Sequence, residues 1–578
     1  MEKYYDLSSV LNVNVKCPWV KGLSYTLTFS NTLRFGRKYF FNDENTHLGI
    51  TKNGEGNKYH SKNYNNLLDN IIKYNNTFGG KHNVDVTLLY TREHYTYDTT
   101  EGYAENFDNT VLGYNKLEDG KIQKVYTGAG DGGDIGWMAR GTYTYDNKYS
   151  VTGTIRRDGC SSFSKNNKWG TFASGGVNWN ITRENFMKKV SFIDNLALRL
   201  SYGSNGNQSI NPYSTLAKVS TDKYLFAGQN NYSITQYISS IALDNLGWEK
   251  TTGTNLGLDF SFLHNRLSGS IDAYLTNTTD LLFNLTVPSV SGRTSILSNI
   301  GKIRNKGIEL SLHSLNIDAK DFKWSSDFAF SLNRNKVVTI LGKDNDGDGK
   351  EDDLVSSGYF IGRSLGTIYA YRVTGMWQQK DEDDGTIMSG MRPGDYKLQD
   401  VDGDGKITTD KDRQFLGNTN PNFRWSLTNT FKYKEFSLMV YINSVWGGDG
   451  YFLSGADTPY NDGYVNNPNI NHYVYDYWMP DNPGAKYPRT DYSKNAAYKG
   501  IKYYDRSFIK LQKVALSYDL SKYVRPWGIN NANVILSADN LLTYAPHWDG
   551  LDPETNQGLT ETARPSIRTY LMTLSFNF

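Results

Sequence analysis

The sequence lacks any long apolar run. Only 38% of its 578 residues are hydrophobic and the mean hydropathy is −0.59. A membrane-spanning helix requires ~20 consecutive apolar residues, so a helical membrane protein is excluded. A transmembrane β-barrel stays open, because a barrel strand exposes only alternate residues to lipid and its average hydropathy is low. By length, the chain could also hold several soluble domains.

Cysteine and excess charge are scarce as well. The two cysteines, Cys17 and Cys160, lie far apart in the sequence and match no metal-ligand spacing, so structural or free thiols are expected. The 62 basic and 60 acidic residues give a formal net charge of +2. A nucleic-acid partner is therefore not expected, since proteins that bind nucleic acids usually carry a basic excess.

No secretory signal is visible at the start, because no apolar segment of ~7–15 residues follows Met1. The protein would then be cytosolic, or the chain would be the C-terminal part of a longer precursor. The rest of the sequence favours the second explanation.

Catalytic motifs are missing too. The eight histidines are scattered, and there is no His/Glu metal spacing, no Gly-x-Ser-x-Gly motif and no phosphate-binding glycine loop. Carboxylates are plentiful, but nothing singles out a glycosidase-like acid pair. We therefore expect that the protein is not an enzyme.

Aromatic residues in alternating segments are abundant, with 43 Tyr, 26 Phe and 12 Trp. The last segment places apolar side chains on one face of a strand and polar ones on the other, namely Tyr570, Met572, Leu574, Phe576 and Phe578 against Thr573, Ser575 and Asn577. This pattern resembles the closing strand of an outer-membrane β-barrel, although a strand of a soluble sandwich could share it. The alternating segments therefore predict an all-β fold.

The connections between predicted strands are of two kinds. Tight turns are predicted at residues 146–148, 264–266 and 434–435, where Asn, Asp or charged residues separate alternating runs. Long polar loops are predicted at residues 32–63, 95–137, 203–251, 334–421, 444–507 and 542–567. Each strand reverses the direction of the chain, so counting back from the last of about 17 strands assigns every connection to one side of a membrane. The tight turns fall on one side and the long loops on the other, as in a transmembrane barrel with short periplasmic turns and long extracellular loops.

Several blocks of sequence resemble one family of transporters. The blocks include Trp-Glu-Lys-Thr-Thr at 248–252, Asn-Ile-Gly-Lys at 299–302, Gly-Met-Trp at 375–377, Trp-Met-Pro-Asp-Asn-Pro at 478–483 and Ala-Asp-Asn-Leu-Leu-Thr at 538–543. Their number and order, almost from end to end, are similar to those of the TonB-linked outer-membrane transporters of the SusC/RagA type from Bacteroidetes.

The resemblance implies a fold and a function. Family members carry a signal peptide, a small β-sandwich extension, a TonB-interacting segment and a plug domain before a barrel of about 22 strands. We therefore expect residues 1–578 to be a partial transmembrane antiparallel β-barrel without a plug, in the outer membrane and in contact with its lipid, truncated and not functional alone. The function implied is import of oligosaccharides or peptides, powered by TonB through a segment missing here, together with a SusD-like surface lipoprotein.

Two other functions compete with this interpretation. A secreted multi-domain β-protein could bind carbohydrate and use acidic loops as structural calcium sites. A surface enzyme is the second alternative. Dependence on detergent separates the barrel from the soluble protein, and hydrolysis of a glycan panel tests the enzyme.

The loop region 334–421 contains a motif with metal chemistry. Asp400, Asp402 and Asp404 take positions 1, 3 and 5 of a calcium-type loop, with a glycine at position 6 and the Lys406 carbonyl at position 7. Ca²⁺ prefers six to eight oxygen ligands, and this spacing wraps one loop around the ion. Position 12 is a lysine, so Asp410 or Asp412 would have to supply the last carboxylate. A solvated acidic turn is the alternative.

A second acidic segment repeats the start of this motif. Asp344, Asp346 and Asp348 take positions 1, 3 and 5 and Asp352 takes position 9, but position 12 is Val355. The expected role of either ion is to stiffen a long extracellular loop, where modest affinity would suffice.

Aromatic side chains in the last third of the chain could stack on sugar rings. They are Tyr460, Tyr464, Tyr473, Tyr475, Tyr477 and Trp478. The same residue types also form the interfacial girdles and the loop packing of any such barrel, and that role is the stronger expectation.

Overall fold

The computed structural model describes residues 1–46, 48–225, 233–286, 295–451, 476–489, 492, 497–555 and 566–577. Seventeen strands join in one large antiparallel sheet, so the prediction of an all-β chain is confirmed. Among these residues, no helix has both the length and the apolar character that crossing a membrane would demand.

The seventeen strands follow one another in chain order, and each pairs with the next. They are β1 Glu2–Lys16, β2 Leu23–Asn42, β3 Glu55–Phe78, β4 His82–Phe107, β5 Gly120–Tyr145, β6 Tyr149–Cys160, β7 Trp169–Asn180, β8 Ile193–Asn207, β9 Glu249–Phe262, β10 Leu267–Thr286, β11 Ser295–Asp318, β12 Phe322–Thr339, β13 Phe423–Tyr433, β14 Phe436–Trp446, β15 Phe508–Asp519, β16 Asn531–Tyr544 and β17 Thr569–Asn577.

Shorter elements occupy the connections. Two-stranded sheets pair Lys218–Tyr224 with Ser233–Ser240, Thr367–Tyr371 with Arg413–Asn418, Val373–Met376 with Tyr396–Leu398, and Asp449–Gly450 with Tyr504–Asp505. Within the described part of the chain, the α-helices with defined bounds are Gln379–Asp383 and Ser521–Val524, and 3₁₀ turns lie at Ile50–Lys52, Gly113–Asn115, Leu117–Asp119, Ile181–Arg183, Asn185–Lys189, Val355–Ser357 and Arg525–Trp527.

The chain divides into two compact units. The first comprises Met1–Glu184, Arg199–Thr254 and Asn277–Lys302, and it contains β1 to β7. The second comprises Asn185–Leu198, Asn255–Thr276 and Ile303–Phe578, and it contains β12 to β17. The two clusters of buried apolar residues found in the described chain both belong to the second unit and lie outside these strands.

The strand β6 shows why these segments become strands. Tyr149, Val151 and Ile155 lie exposed on one face, whereas the alternate residues are polar and less exposed. On the polar face, the hydroxyls of Thr152 and Thr142 lie 3.0 Å apart across β6 and β5. Alternation with period 2 therefore separates an apolar face from a polar one, as predicted.

The three predicted tight turns are confirmed. Residues 146–148, 263–266 and 434–435 connect consecutive strands, and Asp146 and Asn147 adopt φ values of 52° and 54°. Asn and Asp tolerate this left-handed conformation better than most residues, which is why the turn occurs here.

The prediction of loops at residues 32–63 and 95–137 is wrong, because strands occupy most of both ranges. β2 continues to Asn42 before β3 begins at Glu55, and β4 continues to Phe107. The β4 extension carries polar residues on both faces, so the hydrophobic alternation that marks a strand is weak there. The β2 extension still alternates, with Leu33, Phe35, Tyr39 and Phe41 on one face, and the loop prediction overlooked this signal. Backbone hydrogen bonds between neighbouring strands hold both extensions, because the ladder does not depend on side-chain polarity.

The long connections and the tight turns alternate along the chain as predicted, so that they lie at opposite ends of the strands. The four longest, residues 208–248, 340–422, 447–507 and 545–568, all follow even-numbered strands, whereas the predicted tight turns follow odd-numbered ones. Because chain direction reverses at each strand of an antiparallel meander, this parity is what a barrel with all its long loops on one side of a membrane requires.

Candidate functional site

The candidate site lies in the connection between β12 and β13. We call it the loop platform and define it as residues 340–422 together with the described residues of 476–500, all in the second unit. It contains two of the two-stranded sheets and the helix Gln379–Asp383, so this segment is folded rather than extended.

A hydrophobic core holds the loop platform together. Its buried members are Trp377, Met391, Tyr396, Leu398, Ile407 and Tyr492. The Tyr492 hydroxyl accepts a hydrogen bond from the Gly500 N–H at 2.7 Å and donates one to the Tyr498 carbonyl at 3.2 Å. Burial raises the pKa of Tyr492, so this hydroxyl stays neutral and can serve as a donor.

A buried ion pair supports the same core. The Arg489 Nε donates to Asp395 Oδ1 at 2.6 Å, with side chains 11% and 0% exposed. Asp395 Oδ2 accepts a further bond from the Arg392 N–H at 2.8 Å. Buried charges of opposite sign are tolerated when they are paired and hydrogen-bonded in this way, so the pair ties two distant segments of the platform together.

The first acidic loop folds around the oxygens of Asp400. Asp400 Oδ1 accepts from the Gly403 N–H at 2.7 Å and Oδ2 from the Gly405 N–H at 2.8 Å. Both glycines have positive φ, 74° and 77°, which turns the chain sharply after each. Ile407, two residues after Gly405, is buried in the platform core, so the loop is anchored at one end.

Asp412 completes this loop. It is fully buried and accepts from the Val401 N–H at 2.8 Å and the Thr408 N–H at 2.7 Å. One carboxylate oxygen from each of Asp400, Asp402 and Asp412 lies within 4.8 Å of the others. Asp410, the other predicted candidate, is exposed and outside this group.

Asp404, another predicted ligand of the first loop, is outside this group of three. Asp404 Oδ1 accepts from the Lys406 N–H at 2.9 Å. The Lys411 ammonium lies 2.6 Å from Asp402 Oδ2 and 3.7 Å from Asp404 Oδ2. The hydrogen bond from Lys411 lowers the pKa of Asp402 and keeps it a carboxylate, so a metal ion bound by Asp402 would have to displace this ammonium.

The second acidic loop repeats the geometry of the first. Asp344 Oδ1 and Oδ2 accept from the Gly347 and Gly349 N–H groups at 2.7 and 2.9 Å, and these bonds lower the pKa of Asp344. Asp344, Asp346 and Asp352 bring one carboxylate oxygen each within 4.8 Å of the others. Asp348 is outside this group and accepts from the Lys350 N–H at 2.8 Å.

Sequence reasoning missed the residue that anchors the second loop. Glu351 Oε1 accepts from the Ile340 and Gly342 N–H groups at 2.6 and 2.7 Å. It takes position 8, where the first loop has the buried Ile407. The carboxylates of both loops form an all-oxygen donor set that fits a hard cation, and the first loop is the one joined directly to the platform core.

Only two of the six aromatic residues that could stack on sugar rings are among the described residues, Trp478 and Tyr477. Trp478 is buried, and its Nε1 donates to Gln378 Oε1 at 3.0 Å, so its ring belongs to the platform interior. Tyr477 is half-buried. Tyr460, Tyr464, Tyr473 and Tyr475 lie outside the described residues.

Comparison with known proteins identifies what the chain is similar to. Residues 5–443 match the family model described as TonB dependent receptor-like, beta-barrel. TonB-dependent receptor P3 of Formosa agariphila is 32% identical over 95% of this chain and 57% of its own length. TonB-dependent receptor SusC of Bacteroides thetaiotaomicron is 29% identical over 77% of this chain and 44% of its own length. The chain thus spans about half the length of the relatives it matches.

Solved structures show the same fold. The RagAB peptide transporter superposes on the whole chain with a TM-score of 0.80, at 21% identity and over 63% of the transporter chain. The closed-closed state of the RagAB peptide importer gives a TM-score of 0.79. The predicted β-barrel fold is therefore confirmed.

Proposed function

This chain belongs to the TonB-dependent receptor family of outer-membrane β-barrels, in its SusC/RagA-like branch, and from that membership we propose that it forms barrel wall and extracellular loops of an importer for oligosaccharides or peptides. The observation that carries the proposal is the family match over residues 5–443. The relatives are receptors and transporters rather than enzymes, and nothing in these similarities supports the alternative of a secreted carbohydrate-binding protein.

The partners we propose follow from the same family. A SusD-like lipoprotein would cover the extracellular loops, and TonB would supply the energy for import. The loop platform supports the first partner, because a hydrophobic core and a buried ion pair give the loops a fixed surface on which a second protein can bind. Similarity to the RagAB peptide transporter supports a peptide as one of the two substrate classes.

We also propose that the two acidic loops hold structural Ca²⁺. In the first loop Asp400, Asp402 and Asp412 would be ligands, and Asp404 and the Lys406 carbonyl are further candidates from the spacing of the motif. In the second loop Asp344, Asp346 and Asp352 would serve. Because Ile407 lies in the platform core, an ion in the first loop would stiffen the platform instead of contacting the substrate.

Uptake measurements test the import function. Cells that carry the receptor should accumulate fluorescent oligopeptides or oligosaccharides, and accumulation should fall to background when the receptor gene or the TonB gene is deleted. The reason is that the outer membrane has no energy source of its own. A strain with the receptor intact and a second, unrelated TonB-dependent receptor deleted is the control. Uptake that persists without TonB contradicts the proposal.

Cysteine labelling on intact cells tests the orientation. Single cysteines at Asp402 or Asp549 should react with an impermeant maleimide, whereas cysteines at Asp146, His264 or Lys434 should not, because their turns face the periplasm. Asp462, also expected outside, lies outside the described residues. The natural Cys17 and Cys160 are first replaced by serine, and permeabilised cells provide the positive control. Labelling at Lys434 but not at Asp402 would reverse the assignment.

A further inference from the structure

The connection between β16 and β17 folds back onto the large sheet. We call its residues 545–555 the strap; they lie in the second unit, as do β15 and the loop platform. The first part of the strap contacts Lys486 and Tyr487 of the platform, and the later part contacts Lys510 on β15. The strap therefore joins a strand of the barrel wall to a loop that is distant in the sequence.

The strap reaches β15 on the polar face of the sheet. Lys510 is directly opposite Asn443 on β14 and Thr543 on β16, whereas the next residue, Leu511, is opposite Ile442 on the apolar face. In a transmembrane barrel the polar face is the inner one. Lys510 is also the third residue of β15, which follows the long connection 447–507, so the contact lies just inside the end of the barrel that carries the long loops.

The contact with β15 is a buried ion pair. The Lys510 ammonium donates to Glu554 Oε2 at 2.6 Å and lies 3.7 Å from Asp552 Oδ1. Lys510 and Asp552 are 1% and 4% exposed, and the buried ring of Phe508 lies 5.4 Å from the ammonium. Asp552 also accepts from the Glu554 N–H at 2.9 Å and from the Ser566 hydroxyl. These hydrogen bonds give the later part of the strap one defined position against the wall.

The contact with the platform is largely apolar. The side chains of Trp548 and Tyr487 pack in one buried cluster. The Tyr487 hydroxyl donates to Asp549 Oδ2 at 3.3 Å, and the Lys486 ammonium pairs with the same carboxylate. Arg489, which carries the buried ion pair of the platform, follows two residues after Tyr487. A displacement of the strap would therefore reach the platform through a short series of packed side chains.

The two contacts differ in their energetics. A buried ion pair fixes geometry but adds little net stability, because the cost of removing both charges from water offsets most of their attraction. Lys510, Asp552 and Glu554 regain their hydration when the strap leaves the wall, so the attached and the released strap are close in free energy. Burial of the Trp548 ring against the platform has no such opposing cost, so a released strap stays with the platform.

We propose that the strap is a latch for the loop platform. While Lys510 holds Asp552 and Glu554, the platform is fixed to the inner side of the barrel wall. When this ion pair opens, the strap and the platform residues 476–489 are released together. The latch controls how freely the extracellular loops move, whatever substrate the receptor imports.

Hydrogen exchange of the receptor purified in detergent tests the latch. Lys510→Met leaves the Asp552 carboxylate buried without its cation, so exchange in the strap should become about tenfold faster or more. The same increase should reach the platform at the N–H groups of Trp478 and Tyr487, which donate to backbone carbonyls there. Continued protection of β14 and β16 shows that the barrel is folded. Glu554→Gln, a milder change of the same pair, should raise exchange in the same two regions, so the test does not depend on the Lys510 variant alone.

A second substitution should reverse much of the effect. Asp552→Asn added to Lys510→Met removes the unpaired charge and keeps an acceptor oxygen for the Glu554 N–H, so this double variant should exchange more slowly than Lys510→Met alone. Exchange as fast in the double variant as in Lys510→Met would show that the ion pair is not what holds the strap, and would overturn the proposal.

Lys513→Met is the matched control. Lys513 lies on the same strand, and its ammonium is 3.7 Å from Asp539, but both side chains are partly exposed, at 39% and 32%. An exposed pair contributes little, so exchange in the strap and the platform should match the wild type. Wild-type exchange in both Lys510→Met and Glu554→Gln overturns the latch. Faster exchange confined to the strap, with residues 476–489 unchanged, overturns it as well, because the strap would then not hold the platform.

Discussion

Replacing Asp395 with alanine is expected to destabilise the loop platform by about 3–5 kcal/mol, because removing one member of a buried ion pair leaves the other charge without its partner. Here the charge left behind is the guanidinium of Arg489, whose side chain is 11% exposed. The N–H of Arg392 loses its acceptor as well. Hydrogen exchange should show the effect as faster exchange at Trp377, Gly394 and their neighbours, while the strands stay protected.

Asp384→Ala is the control for this prediction. Asp384 lies in the same loop, at the exposed end of the helix Gln379–Asp383, and its loss should change the free energy of unfolding by less than about 0.5 kcal/mol. The double variant Asp395→Leu with Arg489→Met should recover part of the stability, because no unpaired charge is then buried. Equal exchange rates in Asp395→Ala and the wild type would show that the pair does not hold the platform together.

Replacing Asp402 and Asp404 together by asparagine is expected to weaken Ca²⁺ binding by about 100-fold or more. Affinity in such loops depends on the number of charged ligands, and the two substitutions remove two negative charges while preserving side-chain shape. Calorimetric titration of the receptor in detergent measures the dissociation constant. Limited proteolysis with and without a chelator reports on the loop itself, which should be cut near residue 405 only when the ion is removed.

Asp410→Asn provides the matched control for the calcium prediction. Asp410 is exposed and stands apart from the group formed by Asp400, Asp402 and Asp412, so its neutralisation should leave the affinity nearly unchanged. If the wild type gives no calcium-dependent heat and a chelator does not alter cleavage near residue 405, the acidic loop is only a solvated turn.

Strands and turns were predictable because their signals are local. The alternation in β6 and the turn at residues 146–148 depend on residues that are neighbours in the chain, and both are found where expected. The end of β4 was not predictable in the same way, because the strand continues there through polar sequence, held by hydrogen bonds to β3 and β5 that no local pattern reports. The end of β2 does carry a local signal, since Leu33, Phe35, Tyr39 and Phe41 share one face, and the loop prediction overlooked it.

The candidate metal loop was predictable in part. The spacing of Asp400 and Asp402 indicated the loop, but the choice between Asp410 and Asp412 depended on how the chain returns after Ile407. Burial of Ile407 in the platform core brings Asp412 back to the Val401 and Thr408 N–H groups.

By itself, the sequence determined the all-β class, the family and the side of the membrane expected for each connection, because period-2 alternation, turn residues and ordered blocks are properties of neighbouring residues. Only the tertiary structure decided which distant side chains meet. Asp395 and Arg489 are 94 positions apart, and Lys510 and Glu554 are 44 positions apart. Register and loop packing are set by the sum of many backbone and core contacts, so no short segment of sequence encodes them.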